Sequence, residues 1–469
     1  MLPIYDLEQP HGRAAFEACL SRLRGTASAT GEAGRTVAEV MADVQRDGDA
    51  ALVAYMQRWT DPAFHAGRLR VTPAELDAAE AQLSGELRGA IGRAIDHVTA
   101  YQRHVMPTDA GGVTIAGAEL GLRWSPVERV GLCVPGGTAV LFSTLVMLAV
   151  PALVAGVAPA NIHVMSPPPT APGSTPGTPP GSSPGTSPGS SPGSSARGGG
   201  VAASGGGDIS PIVLATASML GLEQVYRIGG AQGVAALGHG TESVPQVDLI
   251  AGPGNIFVQL AKAQLGAACG TDNGFYGPSE IVTVADASAT PRFVASDLIA
   301  QAEHNPGKCF LVAWERDVID AVVAEVERQL QERGRTDAIV EALRGESCAV
   351  VAKDEAEAYE IANTFAAEHV NLAVAEPQAA LAKIRHAGEV FLGDQTPVAA
   401  GDYYAGPSHC LPTGTTARFT SGVSVYTFLK RTGTVAYPEG MSDQAIADIA
   451  AMAEAEGLDG HAASARVRG

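Results

Sequence analysis

From Val130 onward, short apolar runs alternate with stretches of helical spacing, and this alternation limits the possible folds more than any other feature. The runs are Val130–Val134, Ile162–Met165, Gln224–Ile228, Val247–Ala251, Ile281–Ala285, Cys309–Trp314, Cys348–Ala352, Val370–Val374 and Glu389–Leu392. Between them lie Ile256–Gly266, Arg292–His304, Val318–Arg333 and Glu355–Glu368, each long enough for a helix. Strand, helix and strand in this order mean βαβ crossovers and a largely parallel sheet. Nine strands exceed one sheet of ordinary width, so the expected fold is α/β with two doubly wound domains. Residues 1–110 read mostly as helix, and Thr72-Pro73 has the form of a helix start, with Thr as cap and Pro in the first turn.

A chain of 469 residues, 46% apolar and 17% charged, can bury a sizeable core. Its net charge of −19 argues against a nucleic-acid or anionic-membrane surface. The longest apolar stretch, Leu145 to Ala158, is interrupted by Pro151 and falls short of the ~20 residues of a membrane span. The start, Met-Leu-Pro-Ile-Tyr-Asp, has no basic region ahead of an apolar segment, so secretion is not expected. Cys19, Cys133, Cys269, Cys309, Cys348 and Cys410 show no Cys-x-x-Cys spacing, which suits reduced thiols in a cytoplasm. One segment breaks the pattern: Ser166 to Gly200 contains no Val, Ile, Leu, Met or aromatic residue and repeats Ser-Pro-Gly and Thr-Pro-Gly. Such a stretch cannot offset its chain entropy by burial, so residues 166–207 are expected to form a disordered surface insertion without a role in the site.

Three strand ends carry glycine-rich turns that run into helices: Pro135-Gly-Gly137, Gly229-Gly-Ala-Gln232 and Gly252-Pro-Gly-Asn255. Ligands of parallel sheets sit at the carboxyl ends of strands, where glycine lets backbone approach a phosphate. None of the three is Gly-x-Gly-x-x-Gly, the dinucleotide fingerprint. One such turn is more often plain connection than ligand site; three, two of them with an amide (Gln232, Asn255), point to a cofactor cleft. Gln301 and His304, three apart in a helical stretch, share one face. With Asp402 of Gly401-Asp-Tyr403 and a further His, they supply enough N and O ligands for one Zn2+. Glu368-His369 lies just before an apolar run, where the edge of a strand can present an acid/base pair. Ser279, in Gly277-Pro-Ser-Glu280, lacks a nucleophile elbow and reads as a hydrogen-bonding or turn residue. His409, in Pro407-Ser-His-Cys-Leu-Pro412, and His461 near the C-terminus complete the set. Singly, each has a structural reading, such as His304 closing a helix whose dipole favours it. Together they suggest an enzyme that uses a metal and proton transfer. A zinc hydrolase with Glu368 as base leaves the glycine turns without a purpose. A non-catalytic scaffold would recruit partners through the Pro/Gly/Ser segment.

As a set, these residues resemble the histidinol dehydrogenase family over nearly the whole chain outside the insertion. The resemblance rests on Gly131-Leu-Cys-Val-Pro-Gly-Gly137, Leu141-Phe-Ser-Thr144, Ser166-Pro-Pro-Pro169, Gly229-Gly-Ala-Gln232, Gly240-Thr-Glu-Ser-Val-Pro245, Gly252-Pro-Gly-Asn255 and Gly277-Pro-Ser-Glu280. It continues through Ser296-Asp-Leu298, Gln301-Ala-Glu-His304, Glu368-His369, Phe391-Leu-Gly-Asp394, Gly401-Asp-Tyr403 and Glu456-Gly-Leu-Asp-Gly-His461. It implies oxidation of L-histidinol to L-histidine through the aldehyde with two NAD+, the last two steps of histidine biosynthesis. One Zn2+ per subunit would be held by Gln301, His304, Asp402 and, from the partner subunit's tail, His461. Glu368 and His369 would be the acid/base pair. Cys133, Gln232 and Asn255 would contact NAD+, while Ser279, His409, Glu456 and the metal ligands would meet substrate. The resemblance also implies incomplete Rossmann-like domains, small N- and C-terminal dimerisation segments, and a homodimer with shared active sites. The expected division is a helical arm over 1–27, a metal-bearing domain of 28–129 with 281–415, a NAD-side domain over 130–280, and a C-terminal arm over 416–469. The chain departs from the family in having Cys133 for the usual Tyr, Val398 for a frequent Glu and Ser408 for a frequent Asn. A related dehydrogenase acting on another amino alcohol or a sulfonated alcohol is the nearest rival.

Overall fold

The apolar runs do form strands, in two separate parallel sheets, in a computed structural model. It describes residues 2–24, 31–136, 140–168, 208–266, 268–272, 274–304, 307–333 and 336–469. Most of the expected insertion, and Gly137 of the first glycine turn, lie outside the described residues. In chain order the strands are β1 (Ile4–Asp6), β2 (Ala110–Ile115), β3 (Ala118–Pro126), β4 (Val130–Cys133), β5 (Ile162–Met165), β6 (Gln224–Tyr226) and β7 (Leu249–Ala251). They continue as β8 (Gly270–Thr271), β9 (Glu280–Ala285), β10 (Lys308–Ala313), β11 (Cys348–Val351), β12 (His369–Ala373), β13 (Glu389–Leu392) and β14 (Leu429–Ala436).

One sheet has the order β1-β11-β10-β9-β12-β13 and the other β6-β5-β4-β7-β8. All their pairings are parallel. Helices cover both faces, so strands such as β9, β10 and β12 are buried along their whole length. Burial on both faces is why these segments read as unbroken apolar runs rather than as alternation. The third sheet, β14-β3-β2, is antiparallel and was not foreseen. Every residue of β2 is exposed, so it carries none of the apolar pattern that would have marked it.

The helix Pro10–Arg24 lays Phe16, Leu20 and Leu23 on the six-stranded sheet beside Val282, Phe310 and Phe365. The N-terminal segment is therefore part of that sheet's core and adds β1 to its edge. The helices Glu32–Asp47 and Asp49–Trp59, grouped by sequence with residues 281–415, pack against the helices of the five-stranded sheet. Val37, Val44, Leu52 and Met56 share one core with Val234, Leu237 and Leu260. Helical spacing reveals that a helix has an apolar face, but not which sheet receives it. Thr72 does cap the helix Pro73–Ala81, in a capping box with Glu75. Among the described residues no helix is long and apolar enough to cross a membrane.

Phe365 stacks on Phe310 with ring centroids 4.2 Å apart and meets Phe16 edge-on at 5.5 Å. Phe365→Ala is expected to destabilise the protein by about 3–5 kcal/mol, read as a lowered urea midpoint. A loss below about 1 kcal/mol would show that this aromatic cluster does not anchor the N-terminal helix.

Candidate active site

Strand ends of opposite polarity confront each other across a cavity of about 460 Å³. The five-stranded sheet presents its carboxyl ends: residues 133–136 after β4, Pro167 after β5, Gly229 and Gly230 after β6, and residues 253–255 after β7. The six-stranded sheet presents its amino ends, with Ser279 ahead of β9 and Glu368 ahead of β12. His304, Asp402, Tyr403, His409 and Thr413 complete the wall. The carboxyl-end rule thus describes only half of this site. Glycine is needed where neighbouring strand ends of the carboxyl-end wall crowd together: a Cβ on Gly229 would lie 2.7 Å from the Pro167 side chain.

A short hydrogen-bond chain organises the amino-end wall. Gln301 Nε2 donates to Ser279 Oγ at 2.7 Å, and Ser279 Oγ donates to Glu368 Oε2 at 2.5 Å. The Glu280 backbone N–H donates to the same oxygen at 2.9 Å. Burial pushes the Glu368 carboxyl well above the usual carboxylate range, Ser279 and the Glu280 N–H oppose this, and the charges of Glu280 and Asp402 add to it. His369, the first residue of β12, is 1% exposed and is not part of the cavity wall. Its ring packs beside Phe391, with ring centroids 5.7 Å apart. Its Nδ1 is 3.8 Å from Glu368 Oε2, and neither ring nitrogen has a hydrogen-bond partner among the described residues. Burial, with help from His304 and His409, lowers its pKa to about 3, so the ring is neutral.

His409 is held in one tautomer. Its Nδ1 donates to the Asp402 carbonyl at 2.8 Å, which leaves Nε2 to accept from Thr144 Oγ1 at 3.1 Å. Burial lowers its pKa to about 4. The Asp402 carboxyl is pushed to about 6 by burial alone. His304, two residues beyond the helix Pro291–Ala302, is exposed to the cavity, yet the atoms packed around it lower its pKa. The amide oxygen of Gln301, the imidazole of His304 and the carboxylate of Asp402 are a donor set that suits a borderline cation such as Zn2+. Among the described residues no three His, Cys, Asp or Glu side chains form a metal-binding group. Glu456 and His461 are exposed and are not brought to this cavity within one chain. His461 lies on the helix Asp459–Arg466, facing a surface hollow with Tyr437, Ile449 and Arg468.

On the carboxyl-end wall, Cys133 is buried and its thiol is pushed up to about 12, so it stays protonated. Asn255 caps the helix Ile256–Gln264, its Oδ1 accepting from Phe257 N at 3.1 Å and Val258 N at 3.2 Å, which leaves Nδ2 for a ligand. Gln232 lines a smaller adjoining cleft of about 90 Å³, with Met56 and Trp59, that shares Gly229, Gly230 and Asn255 with the main cavity. Thr144 and Thr413 also belong to the site, though no pattern in the sequence gives either a role. Thr413 Oγ1 accepts from Gly277 N at 2.8 Å and donates to the Phe275 carbonyl at 3.0 Å, fixing the turn ahead of Ser279. A single hydroxyl has no spacing to betray it.

A family model described as histidinol dehydrogenase matches residues 23–177 and 201–469. The histidinol dehydrogenase of Synechococcus sp. is 40% identical over 434 residues, covering 92% of this chain and 91% of the relative. That of Rhodopirellula baltica is 40% identical over 467 residues, covering 99% and 92%. The crystal structure of histidinol dehydrogenase from Elizabethkingia anophelis matches with a TM-score of 0.84 at 30% identity, covering 100% of this chain and 98% of that one.

Ser279→Ala removes a donor that favours the ionised form of Glu368, so the carboxyl should stay protonated to a higher pH than in the wild type. An infrared titration of the protonated carboxyl band, assigned with Glu368→Gln, measures this. An unchanged titration would mean that the bond to Ser279 does not tune the acid.

Proposed function

The chain belongs to the histidinol dehydrogenase family, and we propose that it oxidises L-histidinol through L-histidinaldehyde to L-histidine, passing one hydride to each of two NAD+ in turn. It is thus an oxidoreductase of histidine biosynthesis. What supports the finer reading is the cavity, where Glu368, Ser279, His304, Asp402 and His409 face the glycine turns of the other sheet.

In this reading Cys133, Gln232 and Asn255 hold NAD+ against the carboxyl-end wall, and Ser279 and His409 orient the substrate. Gln301, His304, Asp402 and His461 of the partner subunit would hold one Zn2+, and Glu456 of the partner subunit would contact substrate. When bound, the cation supplies a template that fixes the imidazole and amino nitrogens of histidinol. In the first half-reaction the alcohol loses its hydroxyl proton to His369 and a hydride to NAD+, leaving the aldehyde. Burial keeps His369 in the neutral, proton-accepting form, and among the described residues neither ring nitrogen has a hydrogen-bond partner. The Glu368 carboxylate beside it must swing aside as substrate enters. In the second half-reaction Glu368 takes a proton from water as it adds to the aldehyde, and the hydrate passes its hydride to the second NAD+. A carboxyl with a raised pKa is the stronger base for that water, and such assistance is worth ~10² to 10⁴ in rate. A cytoplasmic location agrees with six buried cysteines that are all free.

The direct test is to count NADH formed per L-histidinol consumed. Two NADH per substrate, abolished by a chelator and restored by Zn2+, is the expected result; NADH formation indifferent to chelation would remove the metal from the reading. Glu368→Gln should impair aldehyde oxidation more than alcohol oxidation, by about 10² or more, and equal loss in both steps would sink its assigned role. If sites are shared, mixing His461→Ala with Gln301→Ala should recover part of the activity once subunits have exchanged. No recovery despite proven exchange would separate His461 from the partner's site.

A further inference from the structure

The turn after β7 is gripped by a buried ion pair that no step above uses. Lys262 Nζ lies 2.5 Å from Asp272 Oδ1, and the two side chains are 4% and 0% exposed. Each partner also bonds one end of the same glycine. The Gly252 N–H donates to Asp272 Oδ2 at 2.7 Å, and Lys262 Nζ donates to the Gly252 carbonyl at 3.0 Å. The ammonium further lies 5.0 Å from the ring centroid of Tyr276, a residue of the cavity wall.

The connectivity turns this pair into a clamp. Lys262 projects from the helix that Asn255 caps, immediately beyond the turn. Asp272 follows β8, which is paired with β7, and the turn leaves the end of β7. Strand, turn, helix and neighbouring strand are therefore tied at Gly252. That residue has φ +112°, and a Cβ on it would lie 2.6 Å from the Cys133 carbonyl, so its conformation is held in a region closed to other residues. Against a well-packed apolar pair, a buried ion pair adds little or no stability. What it does supply is direction: two charges fix the plane of the backbone on either side of one residue.

We propose that Lys262 and Asp272 are positioning residues for the dinucleotide, holding residues 253–255 in the conformation that lines the cavity. The inference rests on reading this turn as the NAD+ side of the site. The double variant Lys262→Met/Asp272→Leu removes both charges and leaves neither buried alone. If it keeps the wild-type circular-dichroism spectrum, its dissociation constant for NADH, read by fluorescence titration, should rise about tenfold or more as the loop loses preorganisation. The KM for NAD+ should rise with it, by more than kcat changes and without a matching rise in the KM for histidinol. A folded double variant that binds NADH like the wild type overturns the proposal. If the double variant does not fold, hydrogen exchange on the wild type decides. A Gly252-containing peptide that exchanges as slowly as β7 sustains the clamp, and fast exchange overturns it. Failure of wild-type protein to bind NADH would defeat the reading of the turn itself, while hydrogen exchange would still report whether Gly252 is clamped.

Discussion

The site depends on one constraint: carboxyl groups are held where water cannot solvate their charge. Glu368 meets it with two donors on one oxygen, Ser279 Oγ and the Glu280 N–H. Around it, burial pushes Glu280 and Glu389 to about 7, and Asp297 and Asp402 to about 6. The same burial moves His369 to about 3 and His409 to about 4. The two sets act on stability in opposite directions. Raised carboxyls bind protons better in the fold, so their contribution is present at low pH and is lost as pH rises past ordinary carboxylate values through 6 to 7. The lowered histidines contribute above their ordinary pKa of 6.5, and that contribution is lost as pH falls toward 4 and 3. In each case burial favours the neutral form of the group.

The confrontation of carboxyl ends with amino ends separates two tasks. Carboxyl ends of parallel strands give glycine turns and helix N-termini, which suit an anionic cofactor. Amino ends give the residues just before strands β9 and β12, whose side chains are fixed by strands buried on both faces. In the proposed reading, proton chemistry falls to rigid strand starts and cofactor binding to turns, a division that neither sheet provides alone. It also explains why Ser279 and Glu368, 89 residues apart in sequence, come within hydrogen-bond reach: β9 and β12 are neighbours in register.

How much of this is legible in the chain follows from the same physics. Each of the nine apolar runs is a strand, because burial on both faces writes itself as an unbroken run. Three-residue β1 and fully exposed β2 write nothing of the kind. Glu32–Asp47 and Asp49–Trp59 pack with Val234, Leu237 and Leu260, a destination that amphipathic spacing does not name. Ser279, His304, Glu368, Asp402 and His409 do meet at one cavity, and Gln301 reaches it through Ser279. Glu368 lies on the cavity wall, and adjacent His369 is buried just behind it against Phe391, its Nδ1 3.8 Å from Glu368 Oε2.

Lys262 shows where sequence reading stops. In Val258 to Leu265 a single lysine sits among apolar positions, and its spacing alone would place it on a solvated face. Its partner, Asp272, lies in another segment and becomes visible only when β8 pairs with β7. Both walls of the cavity thus use the same device. A buried charged or polar side chain is bonded twice, once to another side chain and once to backbone: Glu368 to Ser279 and the Glu280 N–H, Asp272 to Lys262 and the Gly252 N–H. Desolvation makes such groups poor sources of stability. Their double bonding makes them good sources of orientation, because any displacement strands a buried polar atom. The structure spends buried polarity where atoms must be aimed, and packs apolar side chains elsewhere.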